Sequence, residues 1–400
     1  MKNFDYMHSY EKEIWLDLMK LVETNEAFFY VDQFHLNRWW RIFNYRLASY
    51  TDFLEPSALE CRGIMFEIDS EGRDADPLRI AARPMQKFFN YRENPMTMDV
   101  DLYDVEHVFD KADGSLITSY LVDGVVHLKS KGSLHSEQAM AATRLLRTPE
   151  YKWMEEEIFH FHVAEACVNM EYVAPDNRIV LGYMEPKLIV LNARDTITGD
   201  YWSHDEMVVT FGDHACHEYD FDHGDVVGGK SRNEVIAEFL EQLPQSTNNI
   251  EGVVVMMPGG RHGGLWMKIK TEQYLTAHRA KDSINSDRRL FEAVLEEATD
   301  DLRSLFYDDE LALARIAEME QKVETIYNHT VDTVERFYER NKELERKTYA
   351  ILGQEELEKP HFGLAMSKYL GKEVDYKAFM RKNYKAFGIK DDPESTGDEE

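Results

Sequence analysis

The feature that most constrains this chain is a long stretch without helix breakers. From Leu265 to Leu352 the sequence contains neither glycine nor proline, whereas both interrupt the preceding part at short intervals. Apolar residues recur in the stretch at three- and four-residue spacings, as they do on one buried face of a helix. They are Ile316, Met319, Val323, Ile326, Val334 and Phe337. We therefore predict a mostly α-helical region from Ser283 onward.

The part before this stretch predicts β structure. Leu116–Leu121 and Val125–Ser130 are β-rich runs on either side of Val122-Asp123-Gly124, which is typical of a hairpin turn. Strands and helices do not alternate along the chain, so antiparallel sheets are favoured over a doubly wound parallel sheet. Further predicted strands are Ile179–Tyr183, Leu188–Asn192 and Gly252–Met257. The predicted fold class is α+β.

Length and composition set the domain organisation. The 400 residues suffice for two or three domains, and we predict a first domain at 1–282 and a helical domain at 283–390. Residues 391–400 hold six acids and are predicted to form a disordered tail. No apolar run approaches the roughly 20 residues of a membrane helix, and Met1 is not followed by an apolar signal segment. Three widely spaced cysteines are typical of a reducing compartment such as the cytoplasm.

The formal net charge of −29 excludes a uniformly basic surface. A protein that binds phosphate groups needs cations only where the phosphates lie. The net charge therefore does not exclude a local binding site for a polyanionic partner. Whether the chain can bind such a partner depends on local clusters of lysine.

One such lysine lies in Lys111-Ala112-Asp113-Gly114-Ser115, directly before the predicted hairpin. The motif alone carries little weight, because a chain of this length contains Lys-x-Asp-Gly by chance in about one case in ten. Asp-Gly is also ordinary turn chemistry, so a surface turn is the favoured interpretation of the motif in isolation.

Further charged residues lie in or beside strand-like runs and change this weighting. Lys268 and Lys270 alternate with Ile269, which places both lysines on one face of a strand. Lys131, Glu171 and Glu251 lie in comparable runs. Taken singly, the two glutamates would be solvated strand ends. Taken together, the lysines and carboxylates outline a phosphate pocket with room for a metal.

The series of segments resembles the RNA ligase 1 family of T-even-type bacteriophages, within the covalent nucleotidyltransferase superfamily. The resemblance spans nearly the whole chain, and Ala112 is a departure, because the family can carry an acid there. The segments are Arg41–Tyr45, Leu59–Glu67, Arg83–Asn90, Lys111–Ser115, Asn169–Pro175 with Asn177–Leu181, Lys268–Lys270, Thr299–Leu302, Arg346–Ala350 and Asn383–Lys385.

The resemblance implies an ATP-dependent RNA ligase with an N-terminal nucleotidyltransferase domain of the ATP-grasp-like ligase type, built of antiparallel sheets flanked by helices. Lys111 would attack the α-phosphate of ATP and become AMP-lysine, with Lys268 and Lys270 on that phosphate. The AMP would pass to the 5′-phosphate of an RNA end, which a 3′-hydroxyl then attacks. The implied substrate is RNA, with a cleaved tRNA anticodon loop as the natural choice. The implied setting is a monomer in the cytoplasm of an infected bacterium.

Further roles follow from the resemblance. Arg62 and Lys87 are expected on the outgoing phosphates, with Tyr45 close by and Lys131 near the nucleotide. For Arg62 alone, an ion pair with a neighbouring acid would be the favoured interpretation. Mg²⁺, with Mn²⁺ as an alternative, takes one or two carboxylates plus phosphate oxygens and water. Glu251 is the leading ligand, and Glu171 serves either the metal or the ribose.

Two features stay open at the sequence level. Asp300 and Asp301 form either a second metal site, as the family suggests, or exposed acids on a helix. The stretch from His214 to His223 holds three histidines and a cysteine, but it lacks the paired Cys-x-x-Cys spacing of a zinc site, so zinc is not favoured.

A basic and aromatic stretch near the C-terminus suits RNA as well as a helical core. Cations and aromatic side chains together bind unpaired RNA, but the same pattern arises when aromatics pack inside and lysines face water. The bases are Lys368, Lys372, Lys377, Arg381, Lys382, Lys385 and Lys390, and the aromatics are Tyr369, Tyr376, Phe379, Tyr384 and Phe387.

Two alternative functions are weighed against RNA sealing. The nearer one is the same chemistry on DNA nicks or caps, but such enzymes usually carry an OB-fold where this chain predicts helices. The farther one is a non-catalytic RNA-binding or phage-assembly protein, which would have no reason to keep Lys111, Glu251 and Lys268 together.

Overall fold

The computed structural model describes residues 7–390 except 47, 178, 222–229, 249, 260–263, 297–298, 300–301, 304–305, 307–308 and 373, and it describes the backbone but not the side chains of 279, 282 and 283. The chain divides into two compact units between Leu275 and Thr276. The predicted tail at 391–400 lies outside the described residues.

The first unit begins with a helix packed on a four-stranded antiparallel sheet of order β1-β2-β3-β4. Trp15 and Leu18 of the helix lie in one core with Phe43 and Phe66 of the sheet, because the apolar residues of the helix recur on one face. The elements are α1 (Ser9–Thr24), β1 (Phe28–His35), β2 (Arg38–Tyr45), β3 (Met65–Ile68) and β4 (Pro77–Ala82).

The second sheet has the order β10-β9-β7-β8 and is covered on one face by helices. Its hairpin is confirmed, since Val122 pairs with Val125 across the turn. The strands are β7 (Ser115–Val122), β8 (Val125–Ser130), β9 (Ala166–Val173) and β10 (Lys187–Asp195), and the helices are α2 (Glu137–Leu146), α3 (Lys152–Val163) and α4 (His204–Phe211).

The third sheet has the order β5-β12-β11-β6. The β12–β5 pair is parallel, and the other strand pairs in the described part of the chain are antiparallel, as predicted. Ile269 lies in the core beneath this sheet, with Val253 and α5. The elements are β5 (Phe89–Asn90), β6 (His107–Asp110), β11 (Gly252–Met257), β12 (Leu265–Lys270) and α5 (Arg232–Gln242).

The predicted strand Ile179–Tyr183 is wrong. These residues form bends and irregular backbone instead. The backbone N–H groups of Val180 and Leu181 donate to Asp113 Oδ2 at 2.8 and 2.6 Å. A buried carboxylate therefore takes the hydrogen bonds that a neighbouring strand would otherwise accept.

Helices account for the C-terminal part, as predicted. The predicted apolar stripe lies on α8, where Ile316, Met319, Val323, Val334 and Phe337 are buried. The first helix starts before Ser283, because Thr271 Oγ1 accepts a hydrogen bond from the backbone N–H of Tyr274 and caps it. The helices are α6 (Glu272–Asn285), α7 (Asp287–Leu295), α8 (Glu310–Asn341), α9 (Arg346–Glu356), α10 (Lys359–Tyr369) and α11 (Tyr376–Lys382). None of the described helices is long and apolar enough to cross a membrane.

Candidate active site

Two lysines share one buried carboxylate at the edge of the third sheet. Lys111 directly follows β6, and its backbone N–H donates to the carbonyl of Gly252 at 3.1 Å. The Nζ of Lys111 lies 2.7 Å from Glu251 Oε1, and the Nζ of Lys270 lies 3.0 Å from the same oxygen. The Glu251 side chain has no exposed surface, whereas those of Lys111 and Lys270 keep 15% and 11% of theirs. A buried anion thus holds two partly exposed cations side by side.

Lys268 completes a cationic group. It lies two residues before Lys270 on β12, so both side chains leave the same face of the strand. Burial lowers the pKa of Lys268 to about 7, and four neighbouring cations add to the effect. In order of effect these cations are Lys270, Lys111, Lys87 and Arg62. Positive charge is therefore concentrated here, although the chain as a whole is acidic.

The remaining predicted basic residues stand against aromatic rings. The Nζ of Lys131 lies 4.7 Å from the centre of the Tyr45 ring, and the Nζ of Lys87 lies 5.4 Å from the same ring. The guanidinium of Arg62 lies 5.2 Å from the ring of Phe88. Such contacts hold a cation in place without neutralising it. The structure therefore brings together the predicted phosphate-contacting residues.

The loop that carries Lys111 is anchored by a buried aspartate. Asp113 is fully buried, and the hydroxyl of Tyr274 donates to its Oδ1 at 2.7 Å. The backbone N–H of Asp113 donates to the hydroxyl of Tyr183 at 3.1 Å. Sequence reasoning missed both tyrosines, because nothing near them in the sequence points to Asp113. The aspartate of the Lys-x-Asp-Gly motif thus holds the loop and does not face solvent.

Glu171 approaches the site from the second sheet. It lies on β9 opposite Leu116 and is half-buried. Burial raises the pKa of Tyr183 to about 12, and the charges of Glu171 and Glu251 contribute to this shift. Both carboxylates are therefore within electrostatic range of one tyrosine.

Glu171 and Glu251 are the two carboxylates predicted to bind a metal together with phosphate oxygens. Within the described residues, histidine, cysteine, aspartate and glutamate form no group of three or more that could hold a metal by itself. Mg²⁺ typically needs only one or two carboxylates when phosphate oxygens and water complete its shell. Asp300, Asp301 and His223 lie outside the described residues. Cys216 is buried, and its thiol donates to the carbonyl of Asp110 at 3.2 Å.

A buried ionic network missed by sequence reasoning supports the segments that carry Arg62 and Lys87. Glu60 accepts hydrogen bonds from Arg83 at 2.9 Å and from Arg194 at 2.6 Å. Burial alone would raise the pKa of Glu60, but the two guanidinium groups hold it well below its usual range. The only sequence signal for this network was Glu60, two positions before Arg62. From the sequence alone, such an acid cannot be distinguished from an exposed one.

In the basic and aromatic stretch of the second unit, the aromatic side chains pack against the helical cores. All five of them are partly buried. Lys368 pairs with Glu335, and Arg381 lies 3.2 Å from Glu296. Five of the bases are exposed, namely Lys372, Arg381, Lys382, Lys385 and Lys390. The aromatic rings therefore serve the core, and the cations face water.

The site is a concentrated cationic group around one buried carboxylate, the kind of arrangement that binds phosphate. Two family models match the chain: one, described as RNA ligase, over residues 60–275, and one, described as the C-terminal domain of T4 RNA ligase 1, over residues 281–391. The first match alone covers more than half of the chain, so the chain belongs to this RNA ligase family. The predicted family is thereby confirmed.

Individual relatives are distant. A "Putative bifunctional polynucleotide kinase/RNA ligase" of Autographa californica nuclear polyhedrosis virus is 24% identical over 272 residues, which are 63% of this chain and 35% of that protein. A "Putative RNA ligase" of Thermovibrio ammonificans is 24% identical over 326 residues, which are 79% of this chain and 78% of that protein. The chain therefore spans about a third of the length of the viral relative.

Solved structures resemble the chain weakly. An archaeal ATP-dependent RNA ligase superposes with a TM-score of 0.42 and 12% identity, covering 89% of this chain and 76% of that one. The Naegleria gruberi RNA ligase with PPi superposes with a TM-score of 0.31 and 16% identity, covering 43% of this chain and 51% of that one.

Proposed function

We propose that this protein is an ATP-dependent RNA ligase that joins 5′-phosphate and 3′-hydroxyl ends. The observation that carries the proposal is Lys111 Nζ at 2.7 Å from the buried Glu251, with Lys268 and Lys270 beside it. Membership of the RNA ligase family supports the same activity.

Lys111 serves as the nucleophile. Its Nζ attacks the α-phosphorus of ATP, so a nitrogen–phosphorus bond forms, the bond to the bridging oxygen breaks, and pyrophosphate leaves. A lysine must lose a proton before it can attack. Glu251 holds the amine in position, and the nearby charges of Lys268 and Lys270 disfavour an additional positive charge on it.

The surrounding cations receive the negative charge of the phosphates. Lys268 and Lys270 stand beside Lys111 and are suited to the α-phosphate, where charge builds up during transfer. Arg62 and Lys87 are suited to the outgoing phosphates, and Lys131 with Tyr45 to the rest of the nucleotide. Glu251 and Glu171 would hold Mg²⁺ or Mn²⁺, which would supply further charge neutralisation at the phosphates.

Two transfers complete the reaction. The AMP passes from Lys111 to the 5′-phosphate of an RNA end, which yields an RNA-adenylate and frees the lysine. The 3′-hydroxyl of the second end then attacks the activated phosphate, so a phosphodiester bond forms and AMP leaves. A cleaved tRNA anticodon loop is the proposed substrate, and the proposed setting is a monomer in the cytoplasm of an infected bacterium.

The proposal is tested by the first step alone. The purified protein is incubated with ATP labelled at the α-phosphate and with Mg²⁺, without RNA, and is then denatured. We expect label on the wild-type chain and none on Lys111→Ala. Lys187→Ala is the control, because Lys187 is not one of the proposed site residues and instead donates to the carbonyl of Asp213. A wild-type protein that takes up no label with either Mg²⁺ or Mn²⁺ contradicts the proposal.

The substrate is tested separately. Sealing of a cleaved tRNA is compared with sealing of a DNA nick under the same conditions, and we expect faster sealing of the tRNA. Faster sealing of the DNA nick would assign the same chemistry to a different substrate.

A further inference from the structure

A sixth lysine, Lys129, contacts the backbone of the site and has no role in the proposed reaction. The side chain of Lys129, on β8, is fully buried. Its Nζ donates to the carbonyl of Gly63 at 2.8 Å and lies 3.5 Å from the carbonyl of Lys131. Burying an amine is costly unless its hydrogen bonds are used. These two carbonyls therefore identify what Lys129 does in the folded protein.

The two carbonyls belong to the segments that carry two of the predicted nucleotide-binding residues. Gly63 directly follows Arg62, and the second carbonyl is that of Lys131 itself. The backbones touch here: Gly63 has a φ of +94°, and a Cβ at this position would lie 2.5 Å from the carbonyl oxygen of Lys131. Lys129 thus joins the loop after β2 to the end of the β7–β8 hairpin where their backbones lie in contact.

This junction fixes where Lys131 points. The backbone N–H of Gly63 donates to the carbonyl of Phe43 on β2, two residues before Tyr45. Tyr45 supplies the ring that lies 4.7 Å from the Nζ of Lys131. The amine of Lys129, the carbonyl of Gly63 and β2 therefore form a continuous support for this pair.

The support needs a hydrogen-bond donor and not a charge. Burial lowers the pKa of Lys129 to about 7, so near neutral pH both forms are populated. The neutral amine still has two N–H groups to donate. The contact with Gly63 is therefore kept whether or not the third proton is present.

We propose that Lys129 is a positioning residue, which sets the place of Lys131 for binding the nucleotide. The inference rests on the proposed function for the identity of the nucleotide. Lys129 touches neither ATP nor RNA in this account and acts only through the two backbone carbonyls.

The test is a double-mutant cycle on nucleotide binding. Affinity for α,β-methylene-ATP, which cannot transfer AMP, is measured by calorimetry for wild type, Lys129→Met, Lys131→Ala and the double variant. Lys129→Met keeps the length of the side chain and removes the donor. We expect it to weaken binding about tenfold, which is the usual worth of one such hydrogen bond. In the Lys131→Ala background we expect the same change to weaken binding less than about twofold, because Lys129 acts through Lys131.

Controls separate positioning from general loss of structure. Lys187→Met removes an exposed hydrogen bond between a lysine and a carbonyl, and we expect unchanged affinity. If Lys129→Met does not fold, Lys129→Gln takes its place in the cycle, with a smaller effect in the same direction. Fully additive losses, or unchanged affinity in the folded variant, overturn the inference.

The cycle also distinguishes the two proposals. A wild-type protein that binds the analogue and shows the non-additive pattern, yet takes up no label from ATP, supports the role of Lys129 and overturns the ligase. A wild-type protein that does not bind the analogue at millimolar concentration overturns both.

Discussion

At the scale of single residues, the site depends on one carboxylate that has no contact with water. Lys111 and Lys270 both form ion pairs with the same oxygen of Glu251, which brings the two amines close together. Lys268 lies close by with its pKa lowered to about 7, chiefly by burial. In a site of this kind the neighbouring cations repel one another, and a bound phosphate reduces this repulsion.

The lowered pKa of Lys268 predicts a pH-dependent free energy of unfolding. Its folded-state pKa of about 7 lies below the ordinary 10.5, so between these values the unfolded chain binds the extra proton. Stability is therefore lost as pH falls from 10.5 to 7 and rises with pH across this window, by about 1.4 kcal/mol per pH unit for one such group. We expect Lys268→Met to remove one such contribution when unfolding by urea is compared between pH 8 and 10.

Burial also lowers the pKa of Lys129 to about 7, so Lys129 makes the free energy of unfolding rise with pH as well. This contribution is the same in the wild type and in Lys268→Met, and it cancels when the two proteins are compared. Lys187→Met serves as the control and should keep the wild-type slope. Parallel curves for wild type and Lys268→Met would show that Lys268 keeps its ordinary pKa in the folded protein.

At the scale of elements, the loop from β6 to β7 connects the third sheet to the second and carries Lys111. Asp113 ties this loop to Tyr274 on α6 and to the backbone at Val180 and Leu181. Lys111, the proposed nucleophile, therefore lies on a loop that is held by residues distant in sequence. The backbone N–H groups of Val180 and Leu181 bind Asp113, so they are not available for strand pairing in the predicted strand Ile179–Tyr183.

The tight packing of this loop predicts the effect of one added methyl group. A Cβ on Gly114 would lie 2.4 Å from the backbone carbonyl oxygen of Tyr172, so the loop or β9 must move. We expect Gly114→Ala to lower the free energy of unfolding by about 1–3 kcal/mol, and to slow labelling of Lys111 by ATP. Denaturant unfolding and the adduct assay measure the two effects.

The matched control is Gly363→Ala on α10, where a Cβ meets no atom within 4 Å. We expect this change to raise stability by about 0.4–1 kcal/mol, since alanine is favoured over glycine in a helix. Equal effects of the two substitutions would contradict the packing argument at Gly114.

At the scale of the whole molecule, the charge of −29 and the cationic site must be taken together. The acidic remainder would repel an RNA backbone, whereas Lys111, Lys131, Lys268 and Lys270 are proposed to attract the phosphates at an RNA end. An arrangement of this kind disfavours non-specific binding and favours ends that the site can hold.

We therefore expect weak binding of intact RNA that depends steeply on salt. If about four phosphates are contacted, affinity for single-stranded RNA should fall about fiftyfold between 50 and 200 mM salt. Fluorescence anisotropy with a labelled RNA measures this slope. Tight binding of arbitrary duplexes that does not change with salt would contradict this expectation. Lys131→Ala should lower the slope of log affinity against log salt concentration by less than one unit.

The sequence by itself determined the fold class, the hairpin, the apolar stripe of α8 and the family. These properties follow from local patterns: alternation in strands, three- and four-residue spacing in helices, and motifs in a fixed order. The roles of Lys111, Glu171, Glu251, Lys268 and Lys270 stay predictions until the adduct is measured.

The tertiary structure alone decided which side chains meet. Glu251 and Lys111 are far apart in sequence, yet they lie 2.7 Å apart because β6 and β11 are neighbours in the third sheet. The buried roles of Asp113 and Lys129 were also beyond the sequence, since a charged residue in a turn or on a strand is ordinarily solvated. Burial and partners depend on how distant strands assemble, and no local pattern encodes that.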